Sequence, residues 1–198
     1  MTTFFRYFES NFGRHHKEAG YFQRWARRDG VARKSQYWRN IVNAVTPDLS
    51  KVSRLPLAAD DPESGDDIDA ALLEARQYLQ SYNWGKNIKS EYLGYGAEGI
   101  VYIFLFEILP SRPDVPQWIW VIVGDVPPAY MPGDDVQTPY EVLDGYIGAM
   151  EDWVEAARQG KSVAKLIPVN VDANPANAET LASRLKFLDE KVLPLLQE

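Results

Sequence analysis

The chain has 198 residues, no cysteine and a formal net charge of −7 at pH 7. A domain of this length buries about 70% of its unfolded surface, so it needs no disulfide or structural metal. The absence of cysteine excludes thiolate catalysis and zinc–cysteine sites, and no apolar run of about 18 residues is present to span a membrane. With no evident signal peptide, we expect a cytoplasmic protein without a metal or other cofactor.

The net charge conceals an asymmetry between the two parts of the chain. Residues 1–57 contain 11 Lys or Arg and 4 Asp or Glu, whereas residues 58–198 contain 10 and 24. The two parts are expected either to attract each other or to face different partners. Attraction within the molecule is the simpler arrangement, because the acidic part is the nearest counter-charge.

The first part, residues 1–57, is predicted to be a basic helical segment that packs with the core domain, residues 67–198, as one compact unit. Aromatic and apolar residues recur at helical spacing along it and predict three short helices. The stretch 49–67 is acidic and rich in turn formers, which predicts a linker or loop. Asp66 at its end suits the N-terminus of the following helix, since carboxylates there oppose the helix dipole.

A change from helical to sheet periodicity follows. Residues 67–82 have the spacing of an amphipathic helix, whereas residues 99–109 are β-branched and aromatic and predict a buried strand. A short proline-bounded loop leads to a second strand, residues 118–123, and favours antiparallel pairing. Because an isolated hairpin is marginally stable, we expect weaker strands at residues 89–93 and 163–171.

Two helices are predicted to end the chain, at residues 139–159 and 175–196. Thr138 and Pro139 begin the first with a capping box, and Asn174 begins the second. The predicted fold class is therefore α+β: a small, mostly antiparallel sheet covered by amphipathic helices, with an aromatic-rich helical N-terminal segment.

The segment around the second strand ends abruptly at Gly124. Trp118 and Trp120 before it are predicted to lie in the core. Two prolines follow Asp125 and are predicted to end sheet pairing, and Asp125 is expected to be a turn residue whose carboxylate accepts backbone N–H groups.

Several patterns that suggest chemistry have simpler explanations. Histidine occurs only as His15 and His16, whose side chains diverge on a helix, so a Ser-His-Asp site is not available in the core. The G-x-G-x-x-G pattern of residues 94–99 precedes a strand rather than a helix, which favours a glycine-rich turn over a dinucleotide site. Glu107 adjoins an apolar run, and we expect it to be paired with an N–H group or an arginine such as Arg112.

Residues 120–130 resemble a family of small bacterial proteins with a W-x-x-x-G-D-x-P-x-x-Y block, formed here by Trp120, Gly124, Asp125, Pro127 and Tyr130. A helix begun by proline and a terminal helix of A-x-x-L-A-x-R-L type follow in both. The resemblance covers residues 100–196. By analogy it implies an immunity protein, a partner that neutralises a secreted bacterial toxin.

We therefore expect a non-enzymatic binding protein of the immunity or antitoxin type, whose acidic face occludes a basic toxin domain. The candidate contact residues are Asp60, Asp61, Glu63, Asp66, Asp125, Tyr130, Asp134 and Asp135.

Two other functions remain open at the level of sequence. The first is a small-molecule-binding protein or enzyme with Asp125, Tyr130 and Glu107 around one pocket. The second is nucleic-acid binding through the basic, aromatic residues 14–39, although the acidic remainder of the chain would repel a polyanion.

Overall fold

The computed structural model describes residues 46–58 and 65–197. The helices predicted within the first 45 residues, the two histidines and most of the basic segment lie outside the described residues. So do Asp60, Asp61 and Glu63.

Five strands of the described chain form one antiparallel sheet in sequential order, with three helices around it. The strands are β1 (Ser53–Arg54), β2 (Ile88–Ala97), β3 (Val101–Ile108), β4 (Trp118–Gly124) and β5 (Ala129–Pro132). The helices are α1 (Asp66–Gln80), α2 (Pro139–Arg158) and α3 (Pro175–Phe187), with short 3₁₀ turns at Leu49–Lys51 and Asn83–Gly85. This arrangement confirms the predicted α+β class.

Helices cover both faces of the sheet, which explains why its central strands are apolar throughout. β3 and β4 pair from Val101 opposite Gly124 to Glu107 opposite Trp118. Side chains alternate between the faces. Those of one face pack with α2 and α3, and those of the other face pack with α1. A strand between two helical layers has no side in water and therefore no polar alternation.

Helix α2 begins at the predicted capping box. The Thr138 hydroxyl accepts the N–H of Glu141 at 3.3 Å, and the Glu141 carboxylate accepts the N–H of Thr138 at 3.1 Å. Asn174 caps α3 by accepting the N–H of Asn177 at 2.9 Å. These contacts satisfy backbone donors that have no partner inside the helix.

The end of the last helix differs from the prediction. Helix α3 stops at Phe187 and continues as a π turn, Leu188–Val192, and a 3₁₀ turn, Leu193–Leu196. Pro194 accounts for the change, because it has no N–H to donate to the preceding turn and its ring crowds the carbonyl four residues earlier.

The prediction that the two prolines after Gly124 end sheet pairing was wrong. Strand β5 begins at Ala129, directly after them, and pairs with β4 from Ala129 opposite Ile122 to Pro132 opposite Ile119. A proline removes only its own donor. Pro132 is tolerated because β5 is an edge strand and needs donors on one side only.

Two further strand predictions have opposite outcomes. Residues 89–93 belong to β2, as expected, but residues 163–171 form turns without a strand. The apolar side chains of the latter stretch, among them Val163 and Ile167, pack against the α2–α3 core instead. Conversely, Ser53 and Arg54 lie in the predicted linker and form β1.

The glycine-rich pattern of residues 94–99 forms the end of β2 and the turn into β3, as predicted. Gly99 in that turn has a φ of +68°, a conformation that glycine adopts without steric penalty. Of the helices that the structure describes, none is long and apolar enough to cross a bilayer.

Candidate functional site

A long acidic stretch of the described chain is formed by the β4–β5 hairpin, its following loop and α2. Residues 113–157 contain nine Asp or Glu and no Lys, Arg or His. We define the acidic face by seven of these carboxylates, which line the loop after β5 and the outer side of α2. They are Asp134, Asp135, Glu141, Asp144, Glu151, Asp152 and Glu155.

The core fixes the direction in which this face points. The opposite side of α2 is buried against the sheet, with Tyr146, Met150 and Trp153 among its contacts. The Tyr146 hydroxyl donates to the carbonyl of Pro127 at 2.8 Å and so ties the helix to the turn before β5. The carboxylates of α2 are therefore presented by a helix that cannot rotate about its axis without exposing core residues.

Helix stability does not account for the charges in the second half of α2. Glu151, Asp152 and Glu155 lie in the second half of the helix, where the dipole disfavours anions. Glu151 and Glu155 are like charges four residues apart, an arrangement that costs about 0.2–0.5 kcal/mol. The one cation of α2, Arg158, forms an ion pair with Glu179 of α3 at 2.8 Å.

Asp134 and Asp135 extend the acidic face into the loop before α2. Asp135 is exposed, yet desolvation by the surrounding loop, together with the neighbouring Asp134, raises its pKa above the usual value. The loop packs against the segment before β1, because the N–H of Asp48 donates to the carbonyl of Gln137 at 3.0 Å. Both predicted contact residues are thus exposed in the loop that leads into α2.

The other predicted contact residues lie elsewhere. Asp66 is exposed in the first turn of α1, on the opposite side of the sheet from α2. Asp125 follows β4 and forms an ion pair with Arg184 of α3 at 3.0 Å. The expected contact of Asp125 with backbone N–H groups was wrong. The two prolines after it offer no such donors, whereas α3 brings a guanidinium within reach.

Tyr130 has a packing role in the described structure. Its ring lies edge-on to the rings of Tyr82 and Trp84, with centroids 5.1 Å from each. Tyr82 and Trp84 stack on each other, also at 5.1 Å. These rings join β5 to the end of α1, on the face of the sheet opposite α2.

Glu107 is paired, as expected, but not with Arg112. Its carboxylate accepts hydrogen bonds from Lys89 at 2.8 Å, Gln117 at 2.6 Å and Ser90 at 3.0 Å. The Lys89 ammonium is the largest of the causes that lower the pKa of Glu107. Arg112 pairs with Asp114 instead, at 2.5 Å.

The structure does not bring Asp125, Tyr130 and Glu107 together. Glu107 lies at one end of the β3–β4 pairing and Asp125 directly after the other end, about 20 Å away at the rise of an extended strand. Tyr130 packs on the α1 side of the sheet. Two grooves of the described structure are lined by other residues.

One of these grooves lies between α1 and the β1–β2 edge and was not anticipated from sequence. It measures about 690 Å³, and its lining includes Arg54, Arg76, Lys86, Lys89 and Glu91. We call it the basic groove. Lys86 and Lys89 are close in sequence, but Arg54 and Arg76 join them only when β1 and α1 meet β2. Because these cations come from separate parts of the sequence, no local pattern indicated the basic groove.

No group of three or more potential metal ligands occurs in the described ranges. No family model, curated protein or solved structure matches the chain. The acidic face and the basic groove are therefore interpreted from their geometry and charge.

Proposed function

We propose that this chain is a binding protein that captures a basic protein partner through the acidic face. The observation that supports this most directly is the stretch 113–157, whose nine carboxylates have no basic residue among them and whose helix presents five of them along one side. An acidic surface accelerates association with a basic partner about 10- to 1,000-fold by electrostatic steering.

The resemblance of residues 120–130 suggests a more specific proposal. We infer an immunity-type protein that acts in the cytoplasm and covers the basic active site of a toxin domain. Such sites bind anionic substrates, so an array of carboxylates on a rigid helix competes directly for the same cations. The cost of placing Glu151, Asp152 and Glu155 in the second half of α2 supports a use in binding, because these three residues do not stabilise their own helix.

The test is affinity capture from the native host with the full chain. The acidic-face variant replaces Glu151, Asp152 and Glu155 by Gln, Asn and Gln, and all three positions are exposed. The matched control makes the same change in charge at three exposed carboxylates outside the face: Glu98, Asp172 and Glu190. We expect the wild type and the control to retain a basic protein that the acidic-face variant loses.

Salt provides the second readout. Screening shortens the range of exposed charges from about 10 Å at 0.1 M salt to about 3 Å at 1 M. Capture should therefore weaken steeply as salt is added. Expression of the captured protein alone should arrest growth, and co-expression of this chain should restore it. Equal capture by both variants, or capture insensitive to salt, would exclude the acidic face as the binding surface.

A further inference from the structure

The basic groove has a charge opposite to that of the molecule around it. Its lining includes four cations and the single carboxylate of Glu91, on a chain with a net charge of −7. The cations come from β1, α1 and the β2 region, so the groove exists only in the folded chain. It lies at the β1–β2 edge, at the opposite end of the strand order from β5.

Two of the four cations are held in place by carboxylates. The guanidinium of Arg76 donates two hydrogen bonds to Glu91, at 2.6 and 2.5 Å. The ammonium of Lys89 donates to Glu107 at 2.8 Å. Glu107 is outside the groove lining, so this pair fixes Lys89 without placing a second carboxylate in the groove.

The other two cations have no carboxylate partner within the described part of the chain. Arg54 and Lys86 are both exposed, and no ion pair compensates either of them. Arg54 is positioned by the pairing of β1 with β2, where it lies opposite Tyr92. Lys86 follows the 3₁₀ turn Asn83–Gly85 at the end of α1. Arg54 and Lys86 can therefore offer positive charge to an anionic ligand from two separate parts of the chain.

The lining restricts the class of anion. The groove is largely open to solvent, and its volume of about 690 Å³ accommodates a small anion. The lining has no aromatic side chain among the described residues, so a nucleobase would find no ring to stack on. Lysine and arginine side chains bind phosphate oxygens strongly. Two N–H groups of the Arg76 guanidinium already donate to Glu91, so Arg54 and Lys86 are the cations of the groove without a carboxylate partner among the described residues.

We propose that the basic groove binds a compact small molecule with two or more phosphate groups. Arg54 and Lys86 neutralise the phosphates, and Arg76 and Lys89 contribute additional N–H donors from fixed positions. A long nucleic acid is disfavoured because the acidic body beyond the groove repels an extended polyanion. This site is independent of the acidic face and does not rest on the proposed partner.

Isothermal titration of the full chain with inorganic tripolyphosphate at low salt tests the proposal. We expect saturable binding at one site and a higher Tm in the presence of the ligand. The variant R54Q/K86Q should bind at least about tenfold more weakly, because hydrogen bonds to charged groups each contribute an order of magnitude or more. The control K161Q/K165Q removes two exposed lysines outside the groove and should bind as the wild type does.

Each alternative outcome overturns the proposal. Tripolyphosphate that does not bind the wild type excludes the site, and equal weakening in both variants shows general attraction to cations. A single-stranded oligonucleotide that binds more tightly than tripolyphosphate through Arg54 and Lys86 would assign the groove to nucleic acid instead. The Tm of each variant without ligand verifies that both substitutions leave the fold intact.

Discussion

Trp120 fills the centre of the core between the sheet and α2. Its ring is fully buried, and its indole N–H donates to the carbonyl of Val136 at 3.0 Å. We expect Trp120→Ala to reduce the free energy of unfolding by about 3–5 kcal/mol, because the cavity cannot close completely. Urea denaturation measures the loss. The half-buried Trp118 provides the comparison, and Trp118→Ala should cost clearly less. A loss below about 1 kcal/mol for Trp120→Ala would contradict its role in the core.

Glu107 shows which part of a residue's environment a sequence can predict. Its position beside an apolar run correctly indicated that it needs a partner. The partner itself depends on the register of β2 against β3, which brings Lys89 from 18 residues away. No local pattern encodes that register, so the prediction of the nearer Arg112 as the partner was wrong.

The ion pair with Lys89 predicts the titration of Glu107. Its pKa should lie below 4.5 in the folded chain, and Lys89→Met should raise it because the ammonium and its hydrogen bond are lost. NMR titration of the side-chain carboxyl carbon measures both values. Lys161→Met removes an exposed charge elsewhere and should leave the pKa of Glu107 unchanged. If Lys89→Met also leaves it unchanged, Lys89 is not the cause of the low value.

At the scale of elements, Gly124 makes the close junction between β4 and the turn after it. It has a φ of +125°, and an added Cβ would lie 2.7 Å from the carbonyl oxygen of Ile100 and 3.0 Å from Cα of Val101. Both neighbours are backbone atoms and cannot rotate away. We expect Gly124→Ala to lower the free energy of unfolding by about 1–3 kcal/mol, because the added Cβ is strained at this φ and overlaps backbone atoms.

Gly99 is the matched control for this substitution. Its φ is also positive, at +68°, but an added Cβ would meet no atom within 4 Å. Gly99→Ala should therefore cost only about 1–2 kcal/mol, the penalty of the left-handed conformation itself. Thermal denaturation of the two variants separates steric overlap from backbone strain. Equal losses would show that the contact with Ile100 contributes nothing.

The elements that could be predicted from sequence are those with local signals. The capping residues Thr138 and Asn174 indicate helix starts through contacts three residues away, and the apolar runs of β3 and β4 indicate burial on both faces. Strands β1 and β5 have two and four residues, too few to show periodicity. Both are strands only because a longer strand beside them offers unpaired backbone groups.

At the scale of the whole molecule, composition indicated an acidic core domain but not how its charge is distributed. The fold separates the acidic face, around α2 and the loop after β5, from the basic groove at the β1–β2 edge. The acidic face corresponds to a continuous stretch of the sequence, residues 113–157, and is therefore visible in the sequence itself. The basic groove forms only when Arg54, Arg76 and the lysines of the β2 region come together in the folded chain. A contiguous charge pattern can therefore be recognised from sequence, whereas one assembled across elements needs the tertiary structure.

The same charges predict how stability depends on pH. Burial raises the pKa of Glu74 above 4.5, and burial together with Asp134 raises that of Asp135 above 3.8. Such groups disfavour the folded state when ionised, so stability increases as pH falls through their raised values. Glu107 has the opposite effect, because its lowered pKa gives stability that is present above 4.5 and lost as pH falls through the folded value. The free energy of unfolding should therefore rise as pH falls through the raised pKa values of Glu74 and Asp135, and decline at lower pH as Glu107 becomes protonated.

Two substitutions test separately the two parts of this pH dependence, the rise in stability as pH falls from 7 and the decline at lower pH. Glu74→Gln should raise stability at pH 7 and reduce the gain in stability as pH falls, since it removes a carboxylate that burial disfavours. Glu107→Gln should lower stability at pH 7 and reduce the loss of stability at low pH, since it removes a carboxylate that Lys89 stabilises. Urea denaturation at a series of pH values measures both. A wild-type stability that declines steadily from pH 7 downward would show that paired carboxylates such as Glu107 dominate, and that the partial burial of Glu74 and Asp135 has no energetic consequence.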